Sequence, residues 1–488
     1  MLCIGLLTPC KASKTFFFDE QCKQAAESLL LLDYKGATGH IVLAKASKPD
    51  NFAPLLMDFH KRAVQVFISE NRSDFEALKK ELDGYLEQAE GLDSKTPYYL
   101  YCQAEMYFFE SILRYKFGEH YIAAAHIRKS YKLIQENTKL FPDFLPNKKY
   151  TGLIHAAIGM VPDQYKWLTS LAGFDGNLSQ GISELQMISE HIVDGGYMQY
   201  EQEQANMMLV FIMLNFKQDI PQAKYHLDKI AENQIGPLRT FMRANVAIHA
   251  GENDAAIHLL ETNRKDNNPV LPYLDYMLGA AKLSKMDSDA HVFLEAFLKT
   301  NPGLNYIKAA NQKLSWFYLL RKDVERYNYY RERVLTLGAS SIDEDKQALT
   351  EAQSNTRPNI KLLQARLYFD GGYIKKSLSV FAGSDVKSDF PTLKDQLEVT
   401  YRIARIYHRM GQVAKAIEYY QETLKNGYSF SYYFAANASL QLGLVYEEMH
   451  DYSKAKFYFD KCLGMRNHEY QNSLDQKAKA GLQRIRVK

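Results

Sequence analysis

Tryptophan is nearly missing from this chain: two residues, against 34 tyrosines and 26 phenylalanines in 488. Sugar-binding proteins commonly stack rings on tryptophan, and only Trp167 and Trp316 are available for that. Both fall where core packing accounts for them. Glycine and proline are scarce as well, 26 and 14 residues, which disfavours a β-sandwich or barrel built on many turns. Cysteine is too sparse and too scattered for a disulfide framework. The five stand at positions 3, 10, 22, 102 and 462 with no Cys-x-x-Cys pair. Cys22, Cys102 and Cys462 read as small buried apolar residues. Excess charge is absent too, since 60 Lys and Arg face 57 Asp and Glu. That balance, with no long basic run or stacking motif, gives no footprint for nucleic acid.

Long apolar runs are lacking. The longest at the N-terminus, Leu2–Leu7, is far below the ~20 residues of a membrane span. The segment 1–18 fits the apolar part of a secretory signal, with Cys10-Lys11-Ala12 as a small-x-small cleavage site. The basic stretch that should precede such a core is missing, and Pro9 argues against a lipoprotein cleavage at Cys10. Export and cytoplasmic residence both stay open.

The motifs of catalysis are missing as well. There is no Gly-rich phosphate loop, no His-Glu-x-x-His and no Gly-x-Ser-x-Gly elbow. His120 and His126 are six positions apart, too far round a helix for the usual i, i+4 metal pair. The Ser-x-x-Lys pattern at Ser453–Lys456 is an ordinary helix start. No catalytic residue, metal site or cofactor is assigned, and the chain is expected not to be an enzyme.

What remains is a 46% hydrophobic chain too long for one compact domain. Its pattern is helical almost throughout after residue 18. The clearest stretch is Leu397–Cys462. Tyr407 is matched by Tyr446, Ala416 by Ala455 and Tyr420 by Phe459, each pair 39 positions apart, and the same step backwards finds Tyr368, Ser377 and Phe381. Alanine at 404 and 416 lets two antiparallel helices approach, rings at 407 and 420 fill the gap to the next pair, and Gly411 closes the turn. Internal repetition of this kind dictates architecture.

The rest of the chain divides around that repeat. Residues 19–141 read as irregular helical repeats. Ser73 with Glu76 reads as a capping box there, and Pro97–Tyr115 is the most aromatic helix. Residues 142–195 form an irregular insert or joint, opened by Pro142 and Pro146 and carrying Pro162, Gly173 and the apolar stripe Leu178, Ile182, Leu185, Ile188 and Ile192. Repeat-like pairs occupy 196–340. The last part, 341–488, holds the clear copies and a half-polar terminal helix fit to end an array. Ser341 followed by Asp343, Glu344 and Asp345 reads as a helix start.

The spacing of Ala404, Tyr407, Ala416 and Tyr420 and its later copies resembles the tetratricopeptide repeat. The family's period is about 34 residues, and the surplus here is assigned to the loop Asn426–Ser431. The fold expected is all-α, an α-solenoid of antiparallel helix pairs. The Gly-x-x-Pro helix at 159–176, the run Pro272-Tyr273-Leu274-Asp275-Tyr276 and the cluster Asp343–Lys346 are similar to something narrower. They resemble a family of large tetratricopeptide proteins with bacterial members, whose eukaryotic relatives are linked to inclusion-body clearance and the mitochondrial outer membrane. That resemblance implies an interaction role and supplies no catalytic residue.

Function is therefore expected on surfaces that the repeat residues leave free. The first helix of each pair lines the concave face of such arrays. By spacing, the outward positions include Arg366, Tyr401, Arg405, His408 and Arg409, with Glu447 and Glu448 beside them. A cationic patch of this kind grips a peptide carboxylate or acidic side chains. The leading reading is a scaffold for a protein or peptide partner. The alternatives are an exported carbohydrate-binding protein and an enzyme hidden in 142–195.

Overall fold

The computed structural model describes residues 13–160, 176–191, 195–230, 236–264, 271–354 and 356–486. Cys3, Cys10, Pro162, Trp167, Gly173 and Ile192 lie outside them, as does the Leu2–Leu7 run. Among the described residues the regular structure is helical, and β pairing is confined to two isolated bridges, Lys14 with Leu92 and Thr15 with Asn51. In chain order the helices are α1 (Glu20–Leu30), α2 (Tyr34–Ser47), α3 (Ala53–Ser69), α4 (Arg72–Glu90), α5 (Tyr98–Lys116), α6 (His120–Leu140), α7 (Asn147–Met160) and α8 (Leu178–Ser189). Next come α9 (Gly196–Ile212), α10 (Ile220–Asp228), α11 (Pro237–Ala250), α12 (Asn253–Thr262), α13 (Tyr273–Lys285), α14 (Ala290–Thr300), α15 (Ile307–Leu320) and α16 (Val324–Thr336). The series closes with α17 (Asp343–Gln353), α18 (Ile360–Asp370), α19 (Ile374–Ser379), α20 (Val386–Asp389), α21 (Leu393–Arg409), α22 (Val413–Gly427), α23 (Tyr433–Glu448), α24 (Tyr452–Gly464) and α25 (Gln471–Arg486).

Successive helices pack as antiparallel pairs, among them α1 with α2, α5 with α6, α7 with α8, α15 with α16, α21 with α22 and α23 with α24. This is the α-solenoid architecture. The chain falls into two compact units: Met1–His249 with His258–Leu274 and Lys299–Leu304, and Ala250–Ile257 with Asp275–Leu298 and Asn305–Lys488.

One turn recurs in both units. The backbone N–H five residues on bonds to a carbonyl near the end of the first helix. The bonds are Asp33 to Ser28, Glu119 to Arg114, Asp287 to Lys282, Asp323 to Tyr318, Tyr373 to Tyr368, Gln412 to Tyr407 and Asp451 to Tyr446, all 2.8–3.0 Å. The residue just before each donor is left-handed: Leu32, Gly118, Met286, Lys322, Gly372, Gly411 and His450, with φ between 56° and 85°. This is a Schellman C-cap, which satisfies carbonyls that the helix end leaves open. Asp33, Asp323 and Asp451 then cap the second helix, each accepting from the N–H three residues on.

The repeat positions behave as the sequence requires. Ala404, Ala416 and Ala455 are fully buried, with Tyr420 and Phe459 beside them in one core. Gly443 permits the closest approach, since a Cβ there would stand 2.5 Å from the Phe459 ring. In the preceding copy Ser377 replaces the alanine, and its buried hydroxyl donates to the Ala365 carbonyl at 2.7 Å. Burial pushes the Cys22 and Cys462 thiols up to about 12, which makes them inert packing groups.

Two local expectations are corrected. Asn71, not Ser73, caps α4, because it takes the Ser73 and Asp74 N–H groups and starts the helix two residues earlier. The acidic run at 343–345 does sit in the first turn of α17, but Ile342 precedes it and no side chain caps that helix. Asp345 instead caps a neighbour: its carboxylate accepts from the N–H of Tyr306 (2.7 Å) and Ala309 (2.9 Å) at the start of α15.

The first unit is held by a sealed polar cluster. Lys149 on α7 donates to Glu105 on α5 (3.1 Å) and to Glu201 and Gln204 on α9 (2.8 and 3.1 Å). Tyr150 and Tyr197 donate to Glu105, Tyr101 donates to Glu201 at 2.7 Å, and His60 of α3 lies 3.2 Å from Glu105. Burial disfavours every charge here. Lys149 and His60 nevertheless hold Glu105 well below the usual carboxylate range, while burial and the charge of Glu105 push Glu201 up. Lys149, Glu105 and Glu201 are 0% exposed, so the cluster joins helices and faces no ligand.

Candidate functional site

The second unit leaves a different kind of surface. Its first helices pack side by side, α15 against α18, α18 against α21 and α21 against α23. Each partner helix covers one side of a first helix, and a stripe opposite is less covered, from the 11% and 17% side-chain exposure of Arg402 and Glu398 to the exposed Arg409. On α21 that stripe is Glu398, Arg402, Arg405 and Arg409, residues at i, i+4, i+7 and i+11, which share one helix face.

The stripe is cationic over rings. The Arg405 guanidinium lies 4.4 Å from the Phe369 ring centre, and Arg366 on α18 lies 5.0 Å from that of Trp316 on α15. Lys313, one turn before Trp316, stands 5.5 Å from the same indole and 5.3 Å from the Tyr276 ring. Trp316 is 4% exposed, and its Nε1–H donates to Glu351 on α17 at 2.6 Å. It forms a floor. Tyr433 on α23 continues the aromatic row, meeting Tyr401 at 6.0 Å and Tyr470 at 5.3 Å.

The cations differ in how they are paired. Arg402 donates from Nε and Nη2 to one carboxylate oxygen of Glu398 one turn back, which outweighs the burial that disfavours its charge. Arg366 has a looser contact, 3.7 Å to Asp370. Arg405 rests on rings. Lys313 has no carboxylate within ion-pair reach among the described residues, although part of its side chain meets solvent. Burial, helped by the neighbouring Arg366, lowers its pKa to about 8 against the pull of Asp370, Glu344 and Glu351. A lysine so perturbed marks a site worth testing.

The sequence-derived residues divide accordingly. Arg366, Arg405 and Arg409 lie on or beside this face. Tyr401 does not: it is 3% exposed and packs against Tyr420, Tyr433 and Phe434. One residue before Arg402 turns the chain about 100° round the helix, onto the covered side. His408 is half-buried with Nδ1 3.4 Å from the Tyr420 hydroxyl, and burial favours its neutral form, so it adds no cation. Glu447 is engaged elsewhere, in a two-bond pair with Arg484 of α25 at 2.7 Å. Lys313, Trp316 and Arg402 are the residues that spacing alone missed. Only Arg402 carried a sequence signal, standing four after Glu398 and three before Arg405.

Among the described residues no group of three or more His, Cys, Asp or Glu could hold a metal ion. Nor is any described helix long and apolar enough to cross a membrane.

Residues 395–468 match the tetratricopeptide-repeat family, so the α21–α24 pairs are tetratricopeptide repeats. No curated protein matches the sequence. Among solved structures, the chain is similar to the Cut9–Hcn1 hetero-tetramer of the APC/C at 12% identity, over 94% of this chain and 95% of that one, with a TM-score of 0.26. A Rap protein complexed with competence and sporulation factor is similar at 10% identity, over 83% and 96%, with a TM-score of 0.29. Naa15/Naa10 bound to HypK-THB is similar at 13% identity, over 96% and 78%, with a TM-score of 0.22. These scores are too low to carry a functional comparison.

Proposed function

We propose that this protein is a non-enzymatic scaffold that binds a protein or peptide on the first-helix face of its second unit. The observation that carries the reading is the row of Lys313, Arg366 and Arg405 across three adjacent helices, each set over an aromatic ring and only partly neutralised. A face of fixed cations and rings suits an extended chain, whose side chains meet it at several points. The narrower resemblance to the inclusion-body clearance and mitochondrial outer-membrane family fits a binding role of this kind.

Sugar binding has less support. Trp316 has 4% of its surface free and two cations at its faces, so it offers no platform for a pyranose ring.

The test is recovery of a partner from the native host by the full chain and by the double variant Arg405→Glu, Arg409→Glu. Both residues project from α21, so the helix content should not change. The expected result is a partner retained by the native chain and reduced at least tenfold by charge reversal, a loss of about 1.4 kcal/mol or more. Equal recovery by both proteins would remove this face from consideration.

A further inference from the structure

We propose that Lys313 and Arg366, over the rings of Trp316 and Tyr276, receive an acidic side chain of the bound peptide, and that a second acidic residue three positions along meets Arg405. The inference rests on the binding-face reading above and names the chemistry of its ligand.

Lys313 has three N–H donors and, among the described residues, no carboxylate within ion-pair distance. It shares the Trp316 indole with Arg366, whose charge acts against its own. Ring faces attract a cation but accept no strong hydrogen bond from it. A carboxylate placed between the ammonium and the guanidinium would supply those acceptors and offset their mutual repulsion.

The surrounding acids restrict the anion's charge. Asp370 on α18 and Glu344 and Glu351 on α17 all act on Lys313. Glu351 is committed to the Trp316 N–H, and Asp370 to Arg366. Their negative field tolerates one added charge better than two, which favours a carboxylate over a phosphate dianion.

The spacing follows from packing. Neighbouring helices lie about 8–10 Å apart, and an extended peptide advances about 3.3 Å per residue. Crossing from Arg366 on α18 to Arg405 on α21 therefore takes about three residues. The ligand motif is an acidic residue, two of any type, then another acidic residue.

Lys313 also makes the site sensitive to pH. The groups facing it are Arg366 and Asp370 from α18, Glu344 and Glu351 from α17, and Tyr276 from α13. With its proton lost near pH 8, the free protein loses the cation as pH rises through that value, and carboxylate affinity falls with it.

The test uses fluorescein-labelled peptides of about twelve residues, acetylated and amidated so that no terminal charge remains. One has Glu at every third position among Ala and Ser. A second has the same composition with the Glu residues adjacent. A third has Gln for Glu, and a fourth phosphoserine for Glu. Binding to the full chain is read by anisotropy at about pH 6.5 and about pH 9.5.

The spaced Glu peptide should bind at least tenfold tighter than the Gln peptide and tighter than the clustered one. Lys313→Met should lose about tenfold at the lower pH. Lys313→Arg should keep its affinity at the higher pH, where the native chain weakens. Circular dichroism and thermal unfolding of both variants check the fold. Equal binding by Lys313→Met and the native chain would overturn the inference, as would no binding of any probe or tightest binding of the phosphopeptide. If Arg405→Glu abolishes binding while Lys313→Met leaves it intact, the binding face stands and the Lys313 site falls. If neither variant matters to a bound probe, both fall.

Discussion

At the scale of single residues, the second unit's open cations contrast with the first unit's closed one. Lys149 serves two carboxylates and an amide at full burial, so its charge is matched within the protein and exposes nothing to a ligand. Replacing it with methionine would leave Glu105 and Glu201 buried without their shared cation. Uncompensated buried charge costs about 3–5 kcal/mol, and that is the loss expected for Lys149→Met in urea unfolding at neutral pH. The sign with pH follows from Glu105, whose pKa in the folded protein is depressed. Its contribution is present above the ordinary value of 4.5 and fades as pH falls through the depressed one. The deficit of the methionine variant should therefore shrink on acidification, where its carboxylates can protonate. A deficit that stays constant from neutral to acidic pH would assign the loss to packing.

At the scale of elements, the recurring Schellman turn sets where each first helix stops and the second begins. Glycine occupies the left-handed position in only some copies, such as Gly411 and Gly372; elsewhere Leu32, Met286, Lys322 and His450 hold it. A side chain there costs roughly 1–2 kcal/mol of steric strain, part of which glycine's greater freedom in the unfolded chain would cancel. His450→Gly should raise stability by about 0.5–1 kcal/mol in thermal unfolding, because its φ of 59° needs no adjustment. A drop instead would mean that the contact of its Nδ1 with the Tyr452 hydroxyl at 3.1 Å matters more than the strain.

The same turn explains what could be read in advance. Ser377, Ala416 and Ala455 recur 39 positions apart because close helix approach tolerates only small side chains there, so the C-terminal pairs were legible. The N-terminal pairs share the backbone geometry at Ser28–Asp33 and Arg114–Glu119, but Leu32 hides the turn from any search for glycine. The site was legible along one helix and illegible between helices. Arg405 and Arg409 follow from the stripe on α21, and Tyr401 fails because a single residue's step changes the face. Lys313 and Arg366 meet over one indole although they are 53 positions apart, a juxtaposition that no local spacing encodes.

At the scale of the whole molecule, the chain combines tetratricopeptide repeats at its C-terminal end with less regular helix pairs before them. The repeat residues are spent on packing, and the proposed recognition falls to the first-helix faces. The central claim is that a partner lies on that face. The most direct measurement is site-specific photocrosslinking from a benzoylphenylalanine at position 370, exposed one turn after Arg366 on α18, compared with one at Glu422, an exposed position on the second helix α22. Crosslinks to one partner from 370, and none from 422, are the predicted result. Crosslinking from 422 equal to or above that from 370 would contradict it.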